Sequence, residues 1–150
     1  MAKTLSFKPK QSTKKLLSSL KERARDVITR RYGLDDEERH TLQSIGETYG
    51  ITRERVRQIE NAALGAIRES DSFEEAQEIF HELKDILDEL GVVVDEDHLL
   101  ESLSNDKVTQ NHIHLYLVLG DHFDSYKEDN HFKKRWTTSE KVADQVHTIL

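Results

Sequence analysis

The 150 residues are 35% hydrophobic and 34% charged, with no cysteine, so any core is lean and a disulfide framework or thiolate metal site is excluded. No apolar run approaches membrane-spanning length, and the basic start, Met1 to Lys15, lacks the apolar heart of a signal peptide; a cytoplasmic chain is expected. The net charge of −7 hides an asymmetry: residues 1–70 carry 15 Lys and Arg against 10 Asp and Glu, whereas residues 71–150 carry 7 against 19, so one half can approach a polyanion and the other would be repelled by it.

Two small helical modules fit that balance better than one large domain. Residues 1–13 read as a flexible basic tail, 14–70 as a first module and 71–150 as a second. Ser19-Leu20-Lys21-Glu22 has the spacing of a capping box, in which a hydroxyl and a carboxylate satisfy orphan amides reciprocally. The helix it opens runs to about Tyr32, with Leu20, Ala24, Val27 and Ile28 on one face, and Gly33 can stop it. A polar link, Asp35 to His40, leads to Thr41, a good N-cap.

Leu42 to Asn61 then reads as two helices joined by a tight turn. Ile45 and Tyr49 lie one turn apart on the first. Ile51 sits in the turn, and Val56, Ile59, Ala63 and Ile67 form the stripe of the second. Those positions must be apolar if two short helices cross and bury their contact. Gly46 faces the crossing, and Gly50 falls where a positive φ is wanted. Thr52 caps the second helix. Its exposed face holds Arg53, Glu54, Arg57, Gln58 and Asn61. Arg can bind guanine in a bidentate way, Gln and Asn can bind adenine, and Glu can accept from the cytosine amino group. Arg53 and Glu54 occupy the first turn, the part of a recognition helix that reaches base edges. Arg55 and Arg68 suit phosphates, and the helix start near Thr41 can hold one through backbone amides.

Beyond that pair, Ser72 to Glu75 has the spacing of a second capping box, and a helix from Phe73 to Leu90 carries Ala76, Ile79, Phe80, Leu83, Ile86, Leu87 and Leu90. Gly91 stops it. Val92 to Val94 reads as a brief strand. Asp95 caps a short helix through Leu103. Thr109 caps another, from about Asn111 to Leu119. Phe123–Tyr126 and Phe132–Trp136 read as two strands around a polar turn. A last helix begins near Ser139, carries Val142, Val146 and Ile149, and meets Leu150 without a stop signal.

The stretches "LLSSLKERARDVITRRYGL" and "TLQSIGETYGITRERVRQIENAALGAIR" resemble region 4 of bacterial primary sigma factors, and "ITRERVRQIE" is a specific signature of that family. The resemblance covers Leu17 to Arg68. It implies a helix-turn-helix that recognises the minus-35 element of promoter DNA and docks on the flap of RNA polymerase. Arg53, Glu54, Arg57 and Gln58 would be the base and backbone readers, and Lys21 to Tyr32 would help form the flap groove. The family usually has Thr where Lys21 stands. The chain has no counterpart of the aromatic-rich region that melts the minus-10 element.

The acidic half shows three helices, a strand and a hairpin, the order of a winged helix, and "HIHLYLVLGDHFDSY" with "HFKKRW" is similar to the HARE-HTH domain. Lys133, Lys134 and Arg135 can touch a phosphate or simply be solvated. Trp136 and Phe132 read as core. His112 and His114 are two apart, so on a helix they point away from each other. No His-Glu-x-x-His pattern, nucleophile motif or phosphate-cradling loop occurs. The expectation is therefore a mainly α chain, a helix-turn-helix bundle followed by a small winged-helix-like α+β module. It would bind promoter duplex and RNA polymerase, without cofactor, metal, membrane or small-molecule substrate, and would not be an enzyme. The alternative is a protein-interaction module that modulates polymerase without reading DNA.

Overall fold

The computed structural model describes residues 5–91, 93–120, 123–126 and 134–138. The first helix, α1 (Pro9–Leu17), begins with proline at its first position, where the missing amide would have been unpaired anyway. The flexible tail expected over residues 1–13 is therefore not what residues 5–13 form. Leu5 and Phe7 pack on the core, and Thr13 and Leu16 are buried. Ser6 donates from its amide and hydroxyl to the two Glu82 carboxylate oxygens, at 3.0 and 2.9 Å. The lysines that suggested a tail lie on the outer side of α1, while its apolar side is fully used.

Helix α2 (Glu22–Tyr32) starts after Lys21, and no side chain caps it. The capping box expected at Ser19 does not form. The Leu20 amide closes α1 by donating to the Leu17 carbonyl at 3.0 Å, so Glu22 is the first helical residue and sits too early to reach back. Arg25 finishes the junction, donating to the carbonyls of Leu17 and Leu20. Gly33 ends α2 at φ 65°, as its position suggested.

Helices α3 (Leu42–Tyr49) and α4 (Arg53–Arg68) follow. Next comes α5 (Asp71–Glu75), opened by Ser70, whose hydroxyl accepts from the Phe73 amide at 3.2 Å. Ser70 thus takes the capping role two residues before Ser72, and with Phe73 at the third position no carboxylate reaches back to complete a box. The expected single helix from Phe73 breaks at Ala76, and α6 (Gln77–Leu90) resumes. The break lets Phe73 and Phe80 both face inward, ring centroids 5.0 Å apart.

Strand β1 (Val94–Asp95) precedes α7 (Glu96–Leu103), which Asp95 caps through the His98 amide. Helix α8 (Lys107–Leu119) starts four residues before the predicted Asn111. Asp106, not Thr109, is the cap. Its carboxylate accepts from the Thr109 amide at 3.2 Å and from the Thr109 hydroxyl at 2.5 Å. Those bonds from Thr109, with Lys10 beside it, hold the Asp106 carboxyl down at about 2. Strands β2 (Phe123–Tyr126) and β3 (Arg135–Thr138) complete an antiparallel sheet of order β1-β3-β2, pairing Val94 with Trp136 and Ser125 with Trp136. Of the second predicted strand, Lys134 lies outside β3 and Arg135 and Trp136 within it. Phe132, Lys133 and the helix expected from Ser139 lie outside the described residues.

The succession α6-β1-α7-α8-β2-β3 has the order of a winged helix. In such a fold the third helix, here α8, is the one free to enter a groove. Here every residue from Gln110 to Leu117 is buried. Helix α8 packs on α1 and α2. One core cluster therefore runs from Leu16 through Ile67 and Phe80 to Tyr116 and Trp136. The boundary expected near residue 70 falls between α4 and α5, and the apolar packing continues across it.

Candidate nucleic-acid interface

Three side chains, Val27, Ile45 and Val56, are each at most 1% exposed and form a small core of their own, with Leu42, Tyr49, Ile51 and Ile59 around it. They lock α2, α3 and α4 together. Thr41 caps α3 by accepting from the Ser44 amide at 3.0 Å, and Thr52 caps α4 by accepting from the Arg55 amide at 3.1 Å. Such caps are worth about 1 kcal/mol each. Between them Gly50 takes φ 68°, and the Ile51 amide donates to the Gly46 carbonyl at 2.9 Å. A Cβ on Gly46 would stand 2.6 Å from the Ile51 carbonyl oxygen, so the close crossing needs glycine.

On α4 the core side is Val56, Glu60, Ala63, Leu64 and Ile67. Arg53, Glu54, Arg57, Gln58 and Asn61 are all exposed. At 100° per residue they occupy one side of the helix, spanning about 12 Å along its axis. The five predicted readers are thus brought together. Two internal pairs order them. Arg57 Nε donates to both Glu54 oxygens, at 3.2 and 3.0 Å. That bond holds the Glu54 carboxyl below its ordinary value and the Arg57 guanidinium above its own. Arg55 Nη1 donates to the Gln58 side-chain Oε1 at 3.3 Å. Both pairs are solvent-exposed, so a phosphate or base edge can replace them at small cost.

Arg68 does not join this group. It lies fifteen residues beyond Arg53, about 22 Å along the axis. Its guanidinium donates to the carbonyls of Val118 and Leu119, at 2.9 and 3.1 Å. In this structure it satisfies the C-terminal end of α8. Thr41, at the other end of α3 from the turn, is exposed.

Reading the motif alone missed a buried link behind the reader. Glu60 is 8% exposed. It accepts from the Tyr32 hydroxyl at 2.7 Å and from Arg31 Nε at 3.4 Å. Burial, then Glu60 itself, push the Tyr32 hydroxyl well above its usual range. One signal was available: Glu60 interrupts the apolar stripe between Val56 and Ala63, where only a paired carboxylate can sit. A second link joins α2 to α3. The Tyr49 hydroxyl donates to Asp26, which also accepts from Arg30 at 2.8 Å, and Arg23 lies 4.8 Å above the Tyr49 ring. Burial pushes the Asp26 carboxyl up, but the bonds from Tyr49 and Arg30 outweigh it and hold it below the usual value.

The apolar residues of α2 are also accounted for. Val27, Ile28 and Tyr32 are buried, the first in the small cluster and the others in the main core with α8. What α2 turns outward is polar: Glu22, Arg23 and Arg25 are exposed, and Asp26, Thr29 and Arg30 are half-buried. The apolar side chains of α2 itself thus do not line an open groove. His112 and His114 both point into the fold. His112 meets Thr13 Oγ1 and the Leu34 carbonyl at 2.8 and 2.9 Å, and His114 lies against the rings of Tyr32 and Trp136.

A family profile described as "Sigma-70, region 4" matches residues 16–69. Residues 16–69 are a sigma region 4-like domain. The match takes in the last two residues of α1, spans α2 to α4 and ends before α5. The RNA polymerase sigma factor SigA of Nostoc sp. PCC 7120 is 49% identical over 59 residues, 39% of this chain and 15% of that protein. SigA1 of Synechococcus elongatus is 53% identical over 53 residues, 35% of this chain and 13% of its own length. SigA of a Bacillus species is 44% identical over 59 residues, 39% of this chain and 16% of its own length. The chain thus spans about a seventh of the sigma factors it is similar to. Among the described residues no helix is long and apolar enough to cross a membrane.

Proposed function

We propose that the chain is a transcription regulator or sigma-like accessory factor that reads promoter duplex DNA, of the minus-35 type, through α4. The observation that carries this reading is the exposed row Arg53, Glu54, Arg57, Gln58 and Asn61, held by a rigid three-helix support on a Thr52-capped helix. Arg53, Glu54, Arg57, Gln58 and Asn61 would meet base edges or the adjoining backbone. Arg55, Thr41 and Thr52 would stand at the phosphates. The family likeness of residues 16–69 supports RNA polymerase as a second partner. Because the apolar side of α2 is occupied by α8, that contact would use the outward polar residues of α2.

The division of labour is then functional: residues 14–70 form the reader, and 71–150 support it. With a net charge of −12, the second half would not grip DNA over a broad face. That same charge favours the second reading, a module that binds polymerase and modulates its assembly without reading DNA. A reaction is not part of either proposal.

Titration of a labelled duplex with the purified chain at rising salt tests the first reading. Log affinity should fall with log salt at about 0.9 per phosphate neutralised. Binding unchanged between roughly 50 and 200 mM salt would refute the phosphate contacts, and polymerase retained in a DNA-free pull-down with no duplex sequence preferred would favour the second reading.

A further inference from the structure

A carboxamide occupies the middle of the most buried helix. Asn111 on α8 is 0% exposed, and an unpaired amide there would be costly. Its side chain makes three hydrogen bonds to one segment, the loop of residues 33–40 between α2 and α3. Nδ2 donates to the carbonyls of Gly33 and Glu37, each at 3.0 Å. Oδ1 accepts from Arg39 Nε at 3.0 Å. The fit is close, since a Cβ on Gly33 would come 2.6 Å from Nδ2.

The neighbours of Asn111 act on the same loop. His112 Nε2 meets the Leu34 carbonyl at 2.9 Å, and Glu96 Oε2 lies 3.6 Å from Arg39 Nη1. From the other side, α2 takes up the loop's end. The His40 amide donates to the Arg30 carbonyl at 2.9 Å, and Arg31 Nη1 donates to the His40 carbonyl at 3.2 Å. The loop runs directly into Thr41, the cap of α3, and α3 seats α4 through the Gly46 crossing. The acidic half thus reaches the reader through this loop, in addition to the shared core and Arg68.

We propose that Asn111 and Arg39 are positioning residues for DNA binding. They hold residues 33–40 in one conformation so that the α3–α4 pair meets the duplex already ordered. The inference rests on the DNA-binding reading above and gives the acidic half its part in it. Asn111 would not touch DNA. Without the clamp, the small core that α2, α3 and α4 share remains, but the loop must be ordered when DNA binds, and that ordering subtracts from affinity.

The test uses the full chain and a fluorescein-labelled duplex of about 40 base pairs, long enough to cover several helical turns. Affinity, its salt slope and amide exchange of residues 33–40 are measured for the wild type, Asn111→Ala, Arg39→Ala and Arg39→Lys, at a temperature where each is fully folded. Arg39 is half-buried, whereas Asn111 is fully buried, so Arg39→Ala carries the test if Asn111→Ala does not fold. The expected result is faster exchange in the loop of both alanine variants and about 5–30-fold weaker binding, the effect of losing one or two ordered contacts. The salt slope of Asn111→Ala should equal that of the wild type, because no charge is lost. Arg39→Lys should restore most of the affinity. Binding of both alanine variants within twofold of the wild type, despite faster loop exchange, would overturn the proposal and leave the clamp a purely structural feature. Failure of the wild type itself to bind the duplex would instead count against the DNA-binding reading. That result is separable, because loop exchange reports the clamp without DNA.

Discussion

Removing the Tyr32 hydroxyl probes the support behind the reader. In Tyr32→Phe the ring remains in the main core beside His114, and only the bond to Glu60 is lost. That bond is 2.7 Å long, buried, and accepted by a carboxylate. Hydrogen bonds to charged groups contribute about 1.5–3 kcal/mol. The Glu60 carboxylate keeps one partner, Arg31 at 3.4 Å, too long and too exposed to compensate fully. Each kcal/mol moves the midpoint of a chain this size by about 2–4 °C, so Tm should fall by about 3–12 °C. Thermal unfolding followed by far-UV and near-UV circular dichroism measures it. Because the main core joins α1, α4, α6 and α8, both probes should report one transition in the wild type and in the variant. A Tm unchanged within about 1 °C would refute the reasoning, by showing that water replaces the hydroxyl at no cost.

Three further outcomes follow from the same geometry. Gly46→Leu places a side chain against the Ile51 carbonyl at the helix crossing and should cost about 1–3 kcal/mol; urea unfolding at constant m-value checks it. Arg68→Ala uncaps Val118 and Leu119 and should lower stability by about 1 kcal/mol, while leaving the salt slope of DNA binding unchanged in the titration. Acidification should destabilise the fold, because burial holds His112 and, more strongly, His114 below the ordinary imidazole value, with Arg39, Lys134 and Arg31 also opposing a charge on His114. Below pH about 6.5 the unfolded chain then binds protons that the folded chain refuses. Stability should fall by up to about 1.4 kcal/mol per pH unit for each histidine. Equal unfolding free energies at about pH 7 and 5.5 would contradict this.

The α3–α4 pair was legible because everything that specifies it is local: two threonine caps, a glycine at the turn, a glycine at the crossing and an apolar stripe. The reader row follows from the same helical period. What was not legible depended on residues far apart in the chain. Leu5, Phe7 and Thr13 looked like a tail because the residues that bury them, such as Tyr116, lie about a hundred positions away. Helix α8 carries apolar residues on every side, a pattern that says "buried" without saying against what. Its start was misplaced because Asp106 and Thr109 are both good caps, and only the carboxylate's geometry chooses between them. The contact of Arg68 with the end of α8 likewise joins residues far apart in the chain. Glu60 shows the opposite case: a polar residue inside an apolar stripe is a readable sign of a buried partner.

Selection of bound sequences from a pool of random duplexes, using the purified full chain, tests the central claim most directly. The account predicts enrichment of a short motif resembling the minus-35 hexamer, TTGACA, and loss of that enrichment in Arg57→Ala, where a guanine contact of about 1–3 kcal/mol disappears. A pool that emerges with no enriched motif would contradict it.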